Sequence, residues 1–276
     1  MKTVQLFEEG RNDRTQAPLD LLKRCGGYYE CPKDANGKRL GPLVGYAGRD
    51  ENGWQFVGDV YVNFAKAERH APILKHFARM LYLKTCNYHR GDRLSNFLEK
   101  LTGFCGAPEG GKALACQLAQ ASGTLAEEHL SQYIFPEKKI IALATPTSRE
   151  VSELVFDRHE PEAGESWWIV EDVCNNFSTT AKLVALIESY GASVAGILCF
   201  LNRSPEINEE FCLRPGLKLP VIALVRKKIE QYRQNNPFVA EDVLMGNVVW
   251  KPKNEWGKLA AAMEMAAFPV SQDSGD

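Results

Sequence analysis

The sequence predicts an α/β fold built on a parallel sheet. From about residue 101 onward, short apolar runs alternate with stretches of helical period, the order that strands and covering helices produce. Two of those runs, ending at Cys105 and Val170, lead through a Gly-rich or polar loop straight into a helix. A third, Val194–Leu201 (VAGILCFL), is apolar throughout, as a strand covered on both faces must be.

Composition sets the frame. The chain has 276 residues, 45% hydrophobic and 25% charged, enough for one large domain or two modest ones, each with its own core. Lys and Arg number 33 against 35 Asp and Glu, a formal charge of −2. That balance supplies no general field for a nucleic-acid backbone, so no nucleic-acid partner is expected and any anion site is local. No apolar run is long enough to span a bilayer, and the opening MKTVQLFEEGRNDRTQ has no apolar h-region. The expectation is a cytoplasmic protein with no membrane partner. The eight cysteines form no C-x-x-C pair and are expected to be reduced thiols; Cys116 and Cys199 sit in apolar stretches. The histidines are scattered, and no strong metal-ligand cluster emerges.

Residues 17–31 predict a short helix broken at Gly26-Gly27, and the turn pairs Asn36-Gly37 and Asn52-Gly53 predict hairpins around strands such as Gln55–Val62. From Pro72, apolar residues at threes and fours (Ile73, Phe77, Met80, Leu81) predict a long helix, and Leu94–Leu101 a short one. Strands follow at Leu101–Cys105, Lys139–Ala144, Trp167–Val170, Val194–Leu201 and Leu219–Val225. Helices are predicted over Ala113–Ser122 and over Thr179–Tyr190, the second stopping at Gly191. Arg226, Lys227, Lys228 and Arg233 read as the solvated face of a polar helix, and Trp167 and Trp168 as core.

Chemistry concentrates at two junctions. In the first, Cys105-Gly106-Ala107-Pro108-Glu109-Gly110-Gly111-Lys112, glycines let backbone N–H groups turn inward. The following helix adds its positive dipole end and Lys112 a full charge, together a cradle for phosphate or pyrophosphate. In the second, Trp167 to Val170 delivers Glu171 and Asp172 to the C-terminal edge of the sheet, before Asn175, Asn176, Phe177, Ser178, Thr179 and Thr180 open a helix. Amides, hydroxyls and helix N–H groups donate to a phosphate; the paired acids suit a ribose diol or Mg²⁺. As simple structure, the first loop is a tight turn and Asp172 or Ser178 an N-cap. Gly106 to Lys112 also fits G-x-x-x-x-G-K of a P-loop nucleotidase, although Ala113 stands where that motif needs Ser or Thr.

The run VEDV, a short polar loop and Thr resembles the phosphoribosyl-pyrophosphate signature of type I phosphoribosyltransferases, and GAPEGGKALA resembles their pyrophosphate loop. LLKRCGG, Tyr61-Val62-Asn63 and the Pro72-led helix bring the orotate branch closest, over roughly residues 19–225 with an insertion near 31–55. The resemblance implies a type I phosphoribosyltransferase-like parallel sheet flanked by helices, with a small hood. It divides the single unit into an N-terminal hood with helices (1–100), an α/β core (101–225) and a C-terminal extension (226–276). It implies Mg²⁺-dependent transfer of ribose-5-phosphate to a nucleobase, orotate first, by a homodimer. By position, Glu171 and Asp172 bind the ribose hydroxyls and are the candidates for the metal, and Asn175, Asn176, Ser178 and Thr179 wrap the 5′-phosphate. Gly110, Gly111 and Lys112 lie along the pyrophosphate, and 145–165 is a mobile lid carrying Arg149, Arg158 and His159, which with Asp172 form the catalytic set. Tyr46, Gly48 and Arg49 are candidates for base recognition.

The chain departs from the family where Asn175-Asn176-Phe177 replaces a Thr-Thr-Gly pattern. A phenyl ring cannot share one side of a loop with a phosphate, so Phe177 is expected to turn its ring away. A non-catalytic phosphoribosyl-pyrophosphate sensor and a P-loop nucleotidase stay open beside the transferase.

Overall fold

A computed structural model describes residues 17–89, 100–125, 131–142, 151–207 and 209–267. In chain order its strands are β1 (Tyr28–Glu30), β2 (Leu43–Arg49), β3 (Gln55–Gly58), β4 (Val60–Val62), β5 (Gly103–Gly106), β6 (Gln132–Ile134), β7 (Glu137–Ala142), β8 (Val151–Val155), β9 (Ser166–Cys174), β10 (Ser193–Asn202), β11 (Glu210–Arg214), β12 (Leu217–Arg226) and β13 (Val248–Val249). Its helices are α1 (Pro18–Arg24), α2 (Ala65–Glu68), α3 (Ala71–Tyr88), α4 (Gly111–Leu125), α5 (Ser178–Ser189), α6 (Ala240–Leu244) and α7 (Trp256–Ala267). The chain divides into two compact units: residues 68–228, and residues 19–67 with the chain from Ile229 onward.

The larger unit is α/β. Its sheet runs β11-β12-β10-β9-β5-β6, with every pair from β12 to β6 parallel and β11 antiparallel at one edge. Parallel strands need crossovers, which α4 and α5 supply. Cys105, Trp167, Ile169, Ile197, Cys199 and Val221 pack on Leu183, Val184 and Ile187 of α5. Trp167 and Trp168 are both fully buried, as expected. A Cβ on Gly196 would stand 2.4 Å from the Trp168 ring, so the glycine makes room for the indole.

The structure corrects three sequence expectations. The apolar run beginning at Lys139 is not a strand of the main sheet; β7 pairs antiparallel with β8 in a separate hairpin, and β6 takes the place beside β5. Ile140 and Ile141 are 50% and 60% exposed, so apolar character there reflects no coverage on both faces. The antiparallel β11 was not foreseen; its alternating Glu-Phe-Cys-Leu-Arg and the turn at Gly216 (φ +83°) build it. Lys227, Lys228 and Arg233 lie on no helix, because Tyr232 forms a two-way backbone bridge with Val57 (2.8 and 3.0 Å). Most of the short helix expected at Leu94–Leu101 lies outside the described residues.

The smaller unit holds the sheet β13-β2-β3, the pair β1–β4 and a core of Leu43, Val57 and Val239. Arg39 joins Asp59 (2.6 Å) and Asp242 (3.1 Å), and Lys33 adds a second cation to Asp59 (2.8 Å). Burial pushes the Asp59 carboxyl up, but bonds from Arg39 and Lys33 outweigh it and hold the group below its ordinary range.

Candidate active site

The two junctions of the larger unit meet at the C-terminal edge of its sheet. Ala107 N–H donates to the Val170 carbonyl (2.8 Å), and Gly111 N–H returns to Ala107 (2.9 Å) as α4 begins. A Cβ on Gly110 would stand 2.2 Å from the Asp172 carboxylate, and one on Gly111 only 2.1 Å from the Val170 carbonyl oxygen. These glycines therefore let one loop lie against the other. The start of α4, with its positive dipole end, is brought to Asp172. Lys112, the second residue of α4, pairs with Glu137 (2.8 Å) and Glu109 (3.4 Å) and lies 4.9 Å over the Phe135 ring. Partial burial lowers its pKa, but the two carboxylates raise it further, so the ammonium stays charged.

β9 continues through both acids to Cys174, and a strand alternates its side chains between faces. Glu171 and Asp172 therefore point to opposite sides of the sheet. Glu171 faces α5, is 9% exposed, and accepts a hydrogen bond from Thr180 Oγ1 at 3.1 Å. Asp172 is half-buried beside Gly110, with Oδ1 accepting from Val173 N–H (2.8 Å). Burial first, and the Asp172 charge second, push the Glu171 carboxyl up to about 8, against the pull of the Thr180 bond.

That shift has a pH signature. Between its ordinary value of 4.5 and about 8, Glu171 holds a proton in the folded protein that the unfolded chain has released. Its contribution is full below 4.5, is lost as pH rises to about 8, and is level beyond. Glu171→Gln is expected to flatten that part of the stability profile, read from urea midpoints between about pH 5 and about pH 9. An unchanged slope in the variant would assign it to another group.

Beyond Cys174 the loop opens α5. Asn175 is half-buried and Asn176 exposed, its Oδ1 accepting from Ser178 N–H at 3.2 Å. Phe177 adopts the left-handed conformation (φ 56°, ψ 18°) that a glycine would take without cost. Its ring turns into the core, 8% exposed, stacked on Phe211 of β11 with centroids 4.7 Å apart. Phe177 thus leaves the solvent side of the loop to Asn176, Ser178 and Thr179.

Sequence reasoning missed Arg203. It directly follows β10, is 6% exposed, and its backbone N–H donates to the Cys174 carbonyl at 2.9 Å, beside the Asn175 loop. Asn202 before it is fully buried and accepts from Ser204 N–H (3.0 Å) and Oγ (2.7 Å). The available signal was a polar Asn-Arg-Ser ending the longest apolar run, at the strand end where α/β ligands bind.

Arg149 lies outside the described residues. Arg158 and His159 are exposed, Arg158 close enough to Tyr133 to act on its charge. Tyr46 and Arg49 belong to the smaller unit, with Tyr46 buried and its hydroxyl donating to Val60 (2.6 Å) and Arg49 donating to Gly53 (2.6 Å).

The fit to Mg²⁺ separates the two acids. Asp172 offers a half-exposed carboxylate, the hard oxygen donor such an ion takes. Glu171, buried, bonded to Thr180 and raised to about 8, does not fit. Among the described residues no group of three His, Cys, Asp or Glu is arranged to hold a metal. Mg²⁺ bound here would take most of its ligands from substrate oxygens and water.

No protein-family model matches the chain, and no curated protein matches its sequence. Among solved structures it is similar to the orotate phosphoribosyltransferase of Aeropyrum pernix (15% identity, TM-score 0.44, covering 76% of this chain and 93% of that one). It is similar to the adenine phosphoribosyltransferase of Rhodothermus marinus (15% identity, TM-score 0.41, covering 76% and 98%). It is also similar to the UMP synthase of Leishmania donovani (12% identity, TM-score 0.45), covering 91% of this chain but spanning only 41% of that one. Among the described residues no helix is long and apolar enough to cross a membrane.

Proposed function

We propose that the protein is a phosphoribosyltransferase, moving ribose-5-phosphate from phosphoribosyl pyrophosphate to a nucleobase, orotate first, with release of pyrophosphate. The observation that carries this reading is the close approach of Gly110 and Gly111 to the strand bearing Asp172, at the sheet edge where a polar loop opens α5. In this reading a ring nitrogen of the base attacks C1 of the ribose as the bond to pyrophosphate breaks. Little covalent help is needed, so rate comes from alignment, charge neutralisation and exclusion of water. Asp172 accepts hydrogen bonds from the ribose hydroxyls. Asn175, Asn176, Ser178, Thr179 and the first N–H groups of α5 hold the 5′-phosphate. Gly110, Gly111 and Lys112 line the pyrophosphate, with Lys112 released from Glu137 towards the anion. Bound Mg²⁺ would supply further neutralisation of the leaving group.

A second reading, a binder without catalysis, is favoured by Glu171, whose buried carboxyl is raised and bonded by Thr180 where the sequence places two acids for the ribose. Calorimetry with phosphoribosyl pyrophosphate and with ATP, each with Mg²⁺, then a panel of bases scored for pyrophosphate release, separates the readings. Turnover with orotate supports the transferase; binding without turnover selects the sensor. ATP hydrolysis without phosphoribosyl-pyrophosphate binding removes both.

Asp172→Asn is nearly isosteric and removes the accepting charge. A hydrogen bond to a charged group is worth about 1.5–3 kcal/mol, so phosphoribosyl-pyrophosphate affinity is expected to fall roughly tenfold or more. Unchanged affinity in a folded variant would move the ribose elsewhere.

The segment 145–165, which includes β8, is proposed to close over the site, carrying Arg149, Arg158 and His159. Limited proteolysis is expected to cut between 145 and 165 in the free protein and to slow when phosphoribosyl pyrophosphate and Mg²⁺ are added. Equal cutting in both states would remove the lid.

A further inference from the structure

We propose that the smaller unit carries a second small-molecule site, which takes an uncharged, amine-bearing nucleobase or its nucleoside. The site is a cavity of about 430 Å³ between the turn after β2, the segment at Gln234 and Asn235, and α6. That volume lies in the range of small-ligand pockets. Every lining residue belongs to the smaller unit, so the cavity shares no lining residue with the Asp172 site and does not depend on the phosphoribosyl reading.

The walls are held in place by the fold. Asp50 Oδ1 accepts from both Asn52 N–H and Trp54 N–H (2.9 Å each), and Asp50 N–H donates to the Trp54 carbonyl (2.9 Å). Gln234 Nε2 donates to the Gln55 carbonyl (3.0 Å), next to the Tyr232–Val57 bridge. On these walls stands Trp54, 61% exposed, an indole in a turn where a small polar residue would satisfy the backbone as well. Val243 and the 87% exposed Leu244 supply the apolar counterpart from α6.

The chemistry of the lining selects the ligand. An open indole face stacks on flat ring systems, and such stacking tolerates any base. Asn52 and Asn235 bring side-chain amides, which both donate and accept, as pairing with an adenine edge requires. Asp50 spends one carboxylate oxygen on the turn, and its second can accept from an exocyclic amine. Neither neighbouring arginine is spare: Arg49 is bonded to Gly53 and Arg233 paired with Glu51. A lining with one carboxylate and no Lys or Arg does not select for phosphate.

The test is calorimetric titration with adenosine, cytidine, uridine and AMP. A nucleoside already carries ribose on its glycosidic nitrogen, so it reports binding without turnover at a transferase site. Adenosine and cytidine are expected to bind, uridine at least tenfold more weakly, and AMP no tighter than adenosine. Trp54→Ala is expected to weaken adenosine at least tenfold, while Trp54→Phe retains most of the affinity and controls for folding. Asp172→Asn is expected to leave adenosine binding unchanged, whatever it does to phosphoribosyl pyrophosphate. The proposal is overturned by no nucleoside binding at millimolar concentration, by full affinity in Trp54→Ala, by loss of binding in Asp172→Asn, or by binding of methyl glucoside in place of nucleosides.

Discussion

Gly111→Ala is expected to cost about 3 kcal/mol of stability, the upper end for forcing atoms into a packed site, and to abolish phosphoribosyl-pyrophosphate binding. The new Cβ would meet the Val170 carbonyl oxygen at 2.1 Å, and that oxygen belongs to the backbone of a central strand. No rotamer change relieves the clash; loop and strand must separate. Gly110 differs in kind, because its close neighbour is the Asp172 carboxylate, a side chain that can turn aside at the price of its position. Gly257 in α7 has nothing within 4 Å and serves as the control, taking alanine without loss. Urea unfolding and calorimetry of the three variants check this order. A Gly111→Ala protein as stable as the parent would mean that the two loops do not touch.

Phe177→Ala is expected to lose about 3 kcal/mol, the usual scale for removing a core phenyl ring. Phe177→Gly is expected to be the more stable of the two by about 1 kcal/mol. In most positions glycine is worse than alanine, because it frees the unfolded backbone. At Phe177, with φ at 56°, the left-handed conformation penalises any Cβ and the order reverses. Stacking on Phe211 is what holds a phenylalanine in that conformation. Chemical denaturation of both variants decides it; alanine above glycine would mean that the backbone is not left-handed there.

The sequence carried the larger unit well where period and composition agreed. The strands now seen at Gly103–Gly106, Ser166–Cys174, Ser193–Asn202 and Leu217–Arg226 were each visible as short apolar runs, and α4 and α5 as helices behind them. It failed where one signal has two structural meanings. Ile140 and Ile141 look the same in a buried strand and in an exposed hairpin, since hydrophobicity alone does not say what covers it. The facing of Glu171 and Asp172 was legible in principle: extending the strand past Val170 by its period of two sends neighbours to opposite faces. Ending it at Val170 concealed that. Arg203 escaped because one arginine after an apolar run has no spacing to mark it. Its backbone partner, the Cys174 carbonyl, is distant in sequence.

The smaller unit is assembled from two stretches of chain separated by the whole larger unit. On a ribosome, residues 19–67 emerge before residues 68–228 and must wait more than a hundred and fifty residues for their partners, with β2 unpaired on the side that β13 will fill and Leu43 and Val57 lacking Val239. Residues 68–228 have no such wait, since all their strands are contiguous in the message. Synthesis thus imposes an order in which the sheet that bears Asp172 closes while the earlier segment remains open. A transcript cut short after residue 228 would release a chain with a finished sheet and an exposed apolar flank, the kind of product that quality-control machinery recognises.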